Sequence, residues 1–414
     1  FYSVFGAAVG LPVAGYILHR RLKHALHEIA SGRTAIEVVL EYGFNTYAGF
    51  YKAFVREYGC SLKKYVAIYG TGAAKPQKLE VIAMNYSKTQ IREILGNWDI
   101  DNNAVIGDVS IMAGAKVSDS VWAIGDSHYL IAANGDEAIS KQLKDTAIAK
   151  ALAGQGFHSA LPVVTKDGGE TWRASDGVLF TLTQRVPGSP VGKGVALGTF
   201  GVYDKERLGL AYNMGAAVGK LHLALKTLDG EIAVDDADLY KLVAEWSLPE
   251  TRKQNMQWSM GLSDAFFDDY LTTFGKLCPQ LPRQMIHRDP SPSHILFEGD
   301  KATGFIDFEL SERNVRLFDP CYCATGILSE TPDLEHFDAW LGVTKQILLG
   351  YDSANPLTEA EKQSVYYVIC SIQFLCIAYF NTIDDPDFRR LAETNREMLR
   401  LIAMNKERIE ALIE

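Results

Sequence analysis

One stretch constrains this chain more than any other. It reads His287-Arg288-Asp289-Pro-Ser-Pro-Ser-His294-Ile-Leu, turns at Gly299-Asp300, and returns as Gly304-Phe305-Ile306-Asp307-Phe308-Glu309. A polar loop leads into one apolar run, and a second apolar run ends on a carboxylate. That pattern predicts a β-hairpin with an aspartate just outside each strand. Two carboxylates so placed can divide labour. One can orient or deprotonate a hydroxyl, and the other can hold a divalent cation against phosphates. Taken alone, two aspartates on a hairpin are more often structural than catalytic, and the pattern leaves both readings open.

The flanking sequence predicts a two-lobed α+β body. Ser87–Leu95 reads as a capped helix. Val117–Ile124 and His128–Ala133 flank Gly125-Asp126 as a hairpin. Lys144–Leu152 is helical, and Ala160–Thr165 and Gly177–Thr183 read as two more strands around Gly168-Gly169. Beyond Gly188 the pattern turns helical, with Val218, Leu221, His222 and Leu225 on one side of Met214–Leu225. The order is a small β-rich lobe, about 80–183, then a large helical lobe, about 190–414.

Ahead of the body lies a different module. Leu18, Leu22, Ala25, Leu26 and Ile29 recur at helical spacing, and Gly32 ends that helix. Thr34-Ala-Ile-Glu37 reads as a capping box, with Ile36, Val39 and Leu40 as the apolar side of the next helix. Gly43 breaks it, and Asn45 or Thr46 caps a third helix ending at Gly59. Helix, tight glycine turn, helix is a helix-turn-helix pattern. Phe50, Phe54 and Tyr58 should be core, and Tyr47, Ala48, Tyr51, Lys52 and Arg56 should face outward, where DNA would lie. A small bundle with a solvated face fits the same spacing. The segment Thr71-Gly72-Ala-Ala-Lys75-Pro76 reads as a linker within 67–79.

Charge divides along the same line. The 414 residues carry 41 Lys and Arg against 51 Asp and Glu, a net charge of −10. Residues 1–66 hold eight basic and four acidic side chains, or +4, which leaves −10 − 4 = −14 for the remainder. A basic head on an acidic body suits two partners of different chemistry. With 47% hydrophobic and 22% charged residues, the chain is neither disordered nor a rod. Six scattered cysteines make neither a disulfide framework nor a zinc motif, which points to a cytoplasmic protein. Two uncharged runs, Phe1–Leu18 and Ser364–Asn381, are read as non-spanning. The first holds three glycines and a proline, and the second carries tyrosines and a glutamine. A chain that opens on Phe1 rather than Met is expected to continue upstream.

Both modules resemble known families. Tyr16-Ile-x-x-Arg20-Arg21-Leu22-x-x-Ala25-x-x-x-Ile29, Ile36-x-x-Val39-x-x-x-Gly43-Phe44, Phe50-x-x-x-Phe54 and Gly59-Cys-Ser61-x-x-x-Tyr65 look like the DNA-binding domain of AraC-type transcription regulators. That family carries two helix-turn-helix units, and Phe1–Gly10 resembles the end of the first. The resemblance implies a DNA partner and a homodimer. His287-Arg288-Asp289, Ile306-Asp307-Phe308, Gly215-x-x-x-Gly219-x-Leu221-His222 and Phe318-Asp319-Pro320-x-Tyr322 resemble the aminoglycoside phosphotransferase and choline-kinase-like group of the protein-kinase-like fold. This resemblance covers roughly residues 80–414. It implies ATP or GTP with Mg²⁺, and a small-molecule hydroxyl as acceptor. Asp289 is then the catalytic aspartate and Asp307 the main metal ligand, with His294 at the second metal position. His287 and Asp319 support the catalytic loop. Gln184, Arg185 and Val186 form the connector against the nucleotide base. Glu309 and Glu312 are the acids nearest the substrate.

Three positions depart from that family's pattern. Asn gives way to His294. The strand lysine that clamps phosphates is replaced by Ile131 or Ala132, with Lys141 and Lys144 as the nearest basic alternatives. The helix that should supply the partner glutamate offers only Asp145. Two functions follow: a phosphotransferase of aminoglycoside or amino-alcohol type joined to a DNA-binding head, or a catalytically impaired ligand-sensing domain controlling that head.

Overall fold

The computed structural model describes the head over 33–44 and 46–58, with parts of the preceding helix. It describes the body over 86–190, 208–330, 337–383 and 386–413, apart from 102 and 113–115. The run Phe1–Ile17, the linker and the stretch after Pro190 lie outside the described residues. Residues 1–85 with 383–385, and 86–382 with 386–414, make two compact units.

In the head, Leu22, Ala25 and Leu26 meet Val38 and Val39 of α1 (Ala35–Glu41) and Phe50 and Phe54 of α2 (Tyr47–Tyr58), all fully buried. Gly43 makes the turn with φ +78°, a conformation that glycine adopts without strain. The Thr46 hydroxyl caps α2 by accepting the Gly49 N–H at 3.0 Å. Two expectations need correction. Thr34 makes no side-chain cap; Arg33 ties this end instead, reaching Glu28 at 3.2 Å and Glu41 at 2.8 Å. The buried side of α1 is Val38 and Val39, while Ile36 and Leu40 are exposed. The predicted outward residues of α2 are all exposed.

The body opens with α3 (Lys88–Leu95), whose Ser87 and Gln90 bond each other's backbone as a capping box. A five-stranded antiparallel sheet follows: β1 (Ile106–Met112), β2 (Lys116–Ile124), β3 (His128–Ala133), β4 (Trp172–Arg173) and β5 (Leu179–Gln184), in the order β1-β2-β3-β5-β4. The register sets Trp122 beside Leu130 and Ala132 beside Phe180. Helix α4 (Asp136–Gly154) lies between β3 and β4 in the chain. The strand expected at Ala160–Thr165 is not formed. Only isolated bridges pair Pro162 with Thr183 and Thr165 with Trp98, because Pro162 has no N–H for a ladder and the Thr165 hydroxyl closes the loop to Gly169.

Past Gln184 come β6 (Ser189–Pro190), α5 (Leu208–Thr227), β7 (Asp235–Asp236) and α6 (Leu248–Trp258). Then follow β8 (Arg283–Ile286), the hairpin β9 (Ile295–Glu298) and β10 (Lys301–Phe305), and β11 (Glu312–Val315). Helices α7 (Phe318–Glu330), α8 (Phe337–Ala354), α9 (Glu359–Phe380) and α10 (Pro386–Met404) complete the lobe. Helices α5 and α8 touch backbone to backbone. A methyl group on Gly215 would run into the Ile347 carbonyl, and one on Gly350 into the Tyr212 carbonyl. Helix α9 is long and apolar enough to cross a membrane, but 78% of its apolar window is buried inside this core.

Candidate active site

The hairpin β9–β10 and the turn after β8 bring the predicted residues together. Asp289 follows β8, His294 precedes β9, and Asp307 follows β10. The His294 Nδ1–H donates to the Asp289 carbonyl at 2.8 Å. Its ring lies between the two carboxylates, 3.4 Å from Asp289 Oδ2 and 3.4 Å from Asp307 Oδ2. The two aspartates are thus one imidazole apart.

The loop carrying Asp289 is held by a buried carboxylate. Asp319, at the start of α7, accepts the N–H of His287 at 2.8 Å and of Arg288 at 3.0 Å. It also accepts His222 Nε2–H at 2.7 Å, and His222 Nδ1 meets the Tyr351 hydroxyl at 2.8 Å. His222 and Tyr351 stand on α5 and α8, so the close glycine contact between those helices places them. His287 is locked as a neutral ring: Nε2–H donates to the Ile306 carbonyl at 3.1 Å, and Nδ1 accepts the Asp289 N–H at 3.3 Å. Burial pushes its imidazole down to about 4, against the opposing pull of Asp319.

Two non-glycine residues near the site have left-handed backbone, Arg288 at φ +76° and Asp307 at φ +71°. Each costs on the order of 1 kcal/mol and must be held by its surroundings. Arg288 is pinned by Asp319, by Glu312 at 2.8 Å, and by the Phe318 ring 4.0 Å from its guanidinium carbon. Next to Asp307, the Phe308 N–H is held by Asp145 Oδ1 of α4 at 2.7 Å. Burial raises the Asp289 carboxyl above its ordinary value, partly offset by His294 and by the Tyr322 hydroxyl that donates to it. A carboxylate so raised is a stronger proton acceptor than one in water.

The donor set fits a metal–nucleotide complex. Asp307 is 44% exposed and offers the hard oxygen that Mg²⁺ prefers, while the His294 nitrogen suits a softer divalent ion better. Among the described residues, no group of three His, Cys, Asp or Glu side chains is arranged to hold a metal by itself. A metal completed by phosphate oxygens and water is the type that one or two carboxylates can hold.

The other expected residues are placed as follows. Gln184 ends β5 and gives its N–H to Leu161; Arg185 gives its N–H to Ser127; Val186 is buried against the hairpin, where a methyl group on Gly304 would collide with it. Glu309 is exposed beside Asp307. Glu312 is committed to Arg288 and to the Asn314 amide at 2.7 Å, so its carboxylate serves the strand rather than a ligand. Ile131 and Ala132 pair with Thr181 and Phe180 in the sheet, and Ala132 is buried. Neither basic alternative fills that place: Lys141 pairs with Glu137 at 2.9 Å, and Lys144 donates to the Ser311 carbonyl at 2.8 Å. Sequence reasoning assigned no role to Asp145 or to the Tyr322 hydroxyl. Asp145 was visible as the one acid in the middle of its helix. Tyr322 stood inside the motif with Asp319.

Comparison with known proteins shows the family. The model of the phosphotransferase enzyme family matches residues 116–357, more than half of the chain, and a helix-turn-helix domain model matches 1–67. The chain belongs to the phosphotransferase enzyme family, with an AraC-type helix-turn-helix domain at its N-terminal side. A homoserine kinase of Zymomonas mobilis is 30% identical over 176 residues, 42% of this chain and 52% of that protein. One from Rhodopseudomonas palustris is 32% identical over 122 residues, 28% of this chain and 35% of that protein. The chain therefore spans about half, or less, of the curated relatives it matches. Among solved structures, a GDP complex of aminoglycoside 2'-phosphotransferase-IIIa aligns at TM-score 0.56 and 14% identity, covering 78% of this chain and all of that one. A microcompartment-associated aminopropanol kinase aligns at 0.53 and 14%, covering 79% and 100%. An amicoumacin kinase solved with AMP-PNP and Ca²⁺ aligns at 0.53 and 12%, covering 76% and 94%. At these identities the likeness is one of fold.

Proposed function

We propose that this protein transfers phosphate from ATP or GTP, with Mg²⁺, to the hydroxyl of a small amino alcohol, and that its head binds DNA. One observation carries the reading: Asp289 and Asp307 flank a single imidazole, on loops fixed by Asp319 and by α4. Asp289 orients the acceptor hydroxyl and takes its proton as the oxygen bonds to the γ-phosphorus and the bond from that phosphorus to the bridging oxygen breaks, releasing the nucleoside diphosphate. Asp307, with His294 beside it, would hold the metal, which neutralises the phosphate charge. The exposed Glu309 carboxylate beside Asp307 suits an ammonium group on the acceptor, and the homoserine and aminopropanol kinases named above act on hydroxyls of that kind. Transfer from radiolabelled Mg-ATP to homoserine, 1-amino-2-propanol or an aminoglycoside tests this. Equal background from the parent and from Asp289→Ala on every acceptor would sink it. Binding of a cationic acceptor should weaken clearly with added salt.

A second reading has its own support. Ile131 and Ala132 leave the strand without its phosphate-clamping lysine, and His294 replaces an oxygen ligand. The body would then sense a ligand and control the head without turnover. Nucleotide-dependent thermal stabilisation without transfer, surviving in Asp289→Ala, selects this reading.

For the head, Tyr47, Ala48, Tyr51, Lys52 and Arg56 form the face offered to the major groove of DNA, read as a homodimer in the cytoplasm. Lys52→Ala with Arg56→Ala should lower the slope of log affinity against log salt by about 2, if both meet phosphates. An unchanged slope in a fluorescence-anisotropy titration would remove these two from the interface.

A further inference from the structure

The absence of the strand lysine raises a physical question. In this family's pattern a lysine–glutamate ion pair ties the sheet to the helix that follows it. Here the sheet offers Ile131 and Ala132 at that place, and the one glutamate of α4, Glu137, pairs with Lys141 of its own helix. Yet Asp307 sits in a left-handed conformation that needs support. Three side chains on α4 supply contacts in the right places. Gln142 Nε2 donates to Thr181 Oγ1 at 2.6 Å and reaches the Ile131 carbonyl at 3.4 Å, so the helix is fastened to β3 and β5. Asp145, one turn further and on the same side, accepts the Phe308 N–H at 2.7 Å. Lys144 donates to the Ser311 carbonyl at 2.8 Å.

The geometry points to α4 as a backbone clasp that positions the metal ligand: Asp145 and Lys144 grip the main chain of residues 308–311, set the orientation of Asp307, and replace the missing ion pair between sheet and helix. Asp145 is a positioning residue here, since its carboxylate holds Phe308 and Asp307 meets the metal. The inference rests on the reading of Asp307 as a metal ligand. Its mechanism is that of outer-shell groups generally, whose loss costs metal affinity roughly 10- to 100-fold because the ligand is no longer held in place.

Mn²⁺ with a non-hydrolysable ATP analogue is the probe, followed by electron paramagnetic resonance on the full chain. Asp145→Asn keeps an oxygen acceptor for the Phe308 N–H and should bind Mn²⁺ within twofold of the parent. Asp145→Ala removes the acceptor and should bind roughly tenfold or more weakly, with faster hydrogen exchange at the Phe308 amide. If Asp145→Ala does not fold, Lys144→Met carries the test, because it removes the ammonium and keeps an unbranched chain of similar length. That variant should weaken Mn²⁺ binding at least threefold. A parent that takes up no Mn²⁺ with the analogue removes both this inference and the metal reading beneath it. A parent that binds while Asp145→Ala, or Lys144→Met in its place, binds within twofold overturns the clasp alone. Equal losses in Asp145→Asn and Asp145→Ala overturn it too, because charge rather than the backbone contact would then be at work.

Discussion

The two halves of the candidate site are built on opposite principles. On the large-lobe side, side chains that do no chemistry are fully engaged. Asp319 accepts two backbone N–H groups and His222, His287 is bonded at both nitrogens, and His222 is bonded at both of its own. On the small-lobe side Ile131 and Ala132 of the sheet bring no charge, and the contact with the loop after Asp307 runs through helix side chains to main-chain atoms. The first half is fixed by a buried polar network, which loses several bonds when one member is cut. The second is fixed by single hydrogen bonds to backbone, which a neutral isostere can reproduce. The comparison therefore separates residues that carry the reaction from residues that carry the fold.

The sharpest break between them is Asp289 against Asp319. Asp289→Ala should cut phosphate transfer by roughly 10²- to 10⁴-fold, the span of one general acid–base group. Its melting temperature should change little, since relief of a mostly buried carboxylate with a raised pKa offsets the loss of an acceptor for the Tyr322 hydroxyl. Asp319→Ala should instead destabilise the fold. It leaves His222 and two buried N–H groups without their acceptor, at a cost of about 3–5 kcal/mol in urea denaturation. A stable Asp319→Ala protein would mean that the network is not what fixes the loop.

The large-lobe half was also the legible half. Its loop, strand, turn and strand are local in sequence, so alternation and glycine punctuation announce Asp289, His294 and Asp307 together. The glycines Gly215 and Gly219 were readable as a pattern, but their reason is tertiary. They let α5 approach α8, which lies more than a hundred residues on in the chain. The small lobe was less legible for two reasons. Pro162 and Thr165 sit in an apolar run that looks like a strand and forms only bridges. And the role of Asp145 depends on a partner 163 residues away, a backbone N–H that has no sequence signature. In the head the turn and the exposed face were readable. The helix α1 was rotated in the reading, because Ile36, Val39 and Leu40 fit helical spacing as well as the observed Val38 and Val39 do.

The comparison can be tested more finely by pH, because the two halves titrate in opposite senses. His287, in the large-lobe network, falls from an ordinary 6.5 to about 4 on folding. Between those values the unfolded chain holds a proton there that the folded one does not, so acid destabilises the fold. Asp145, on the small-lobe helix, rises from an ordinary 3.8 to about 7, chiefly through burial. Across nearly the same window the folded chain holds a proton there that the unfolded one has released, so acid stabilises the fold. From pH 4 to 6.5 the two slopes oppose and cancel in the parent. Asp145→Asn removes one of them and leaves the other. The variant should then lose stability relative to the parent as the pH falls below 6.5, by about 1.4 kcal/mol per pH unit, levelling off near 4. Urea midpoints of both proteins at pH 7, 5.5 and 4.5 measure it. Parallel curves would show that Asp145 is ionised in the folded chain throughout this range, and that the small-lobe half is held by a buried charge rather than by a neutral hydrogen bond.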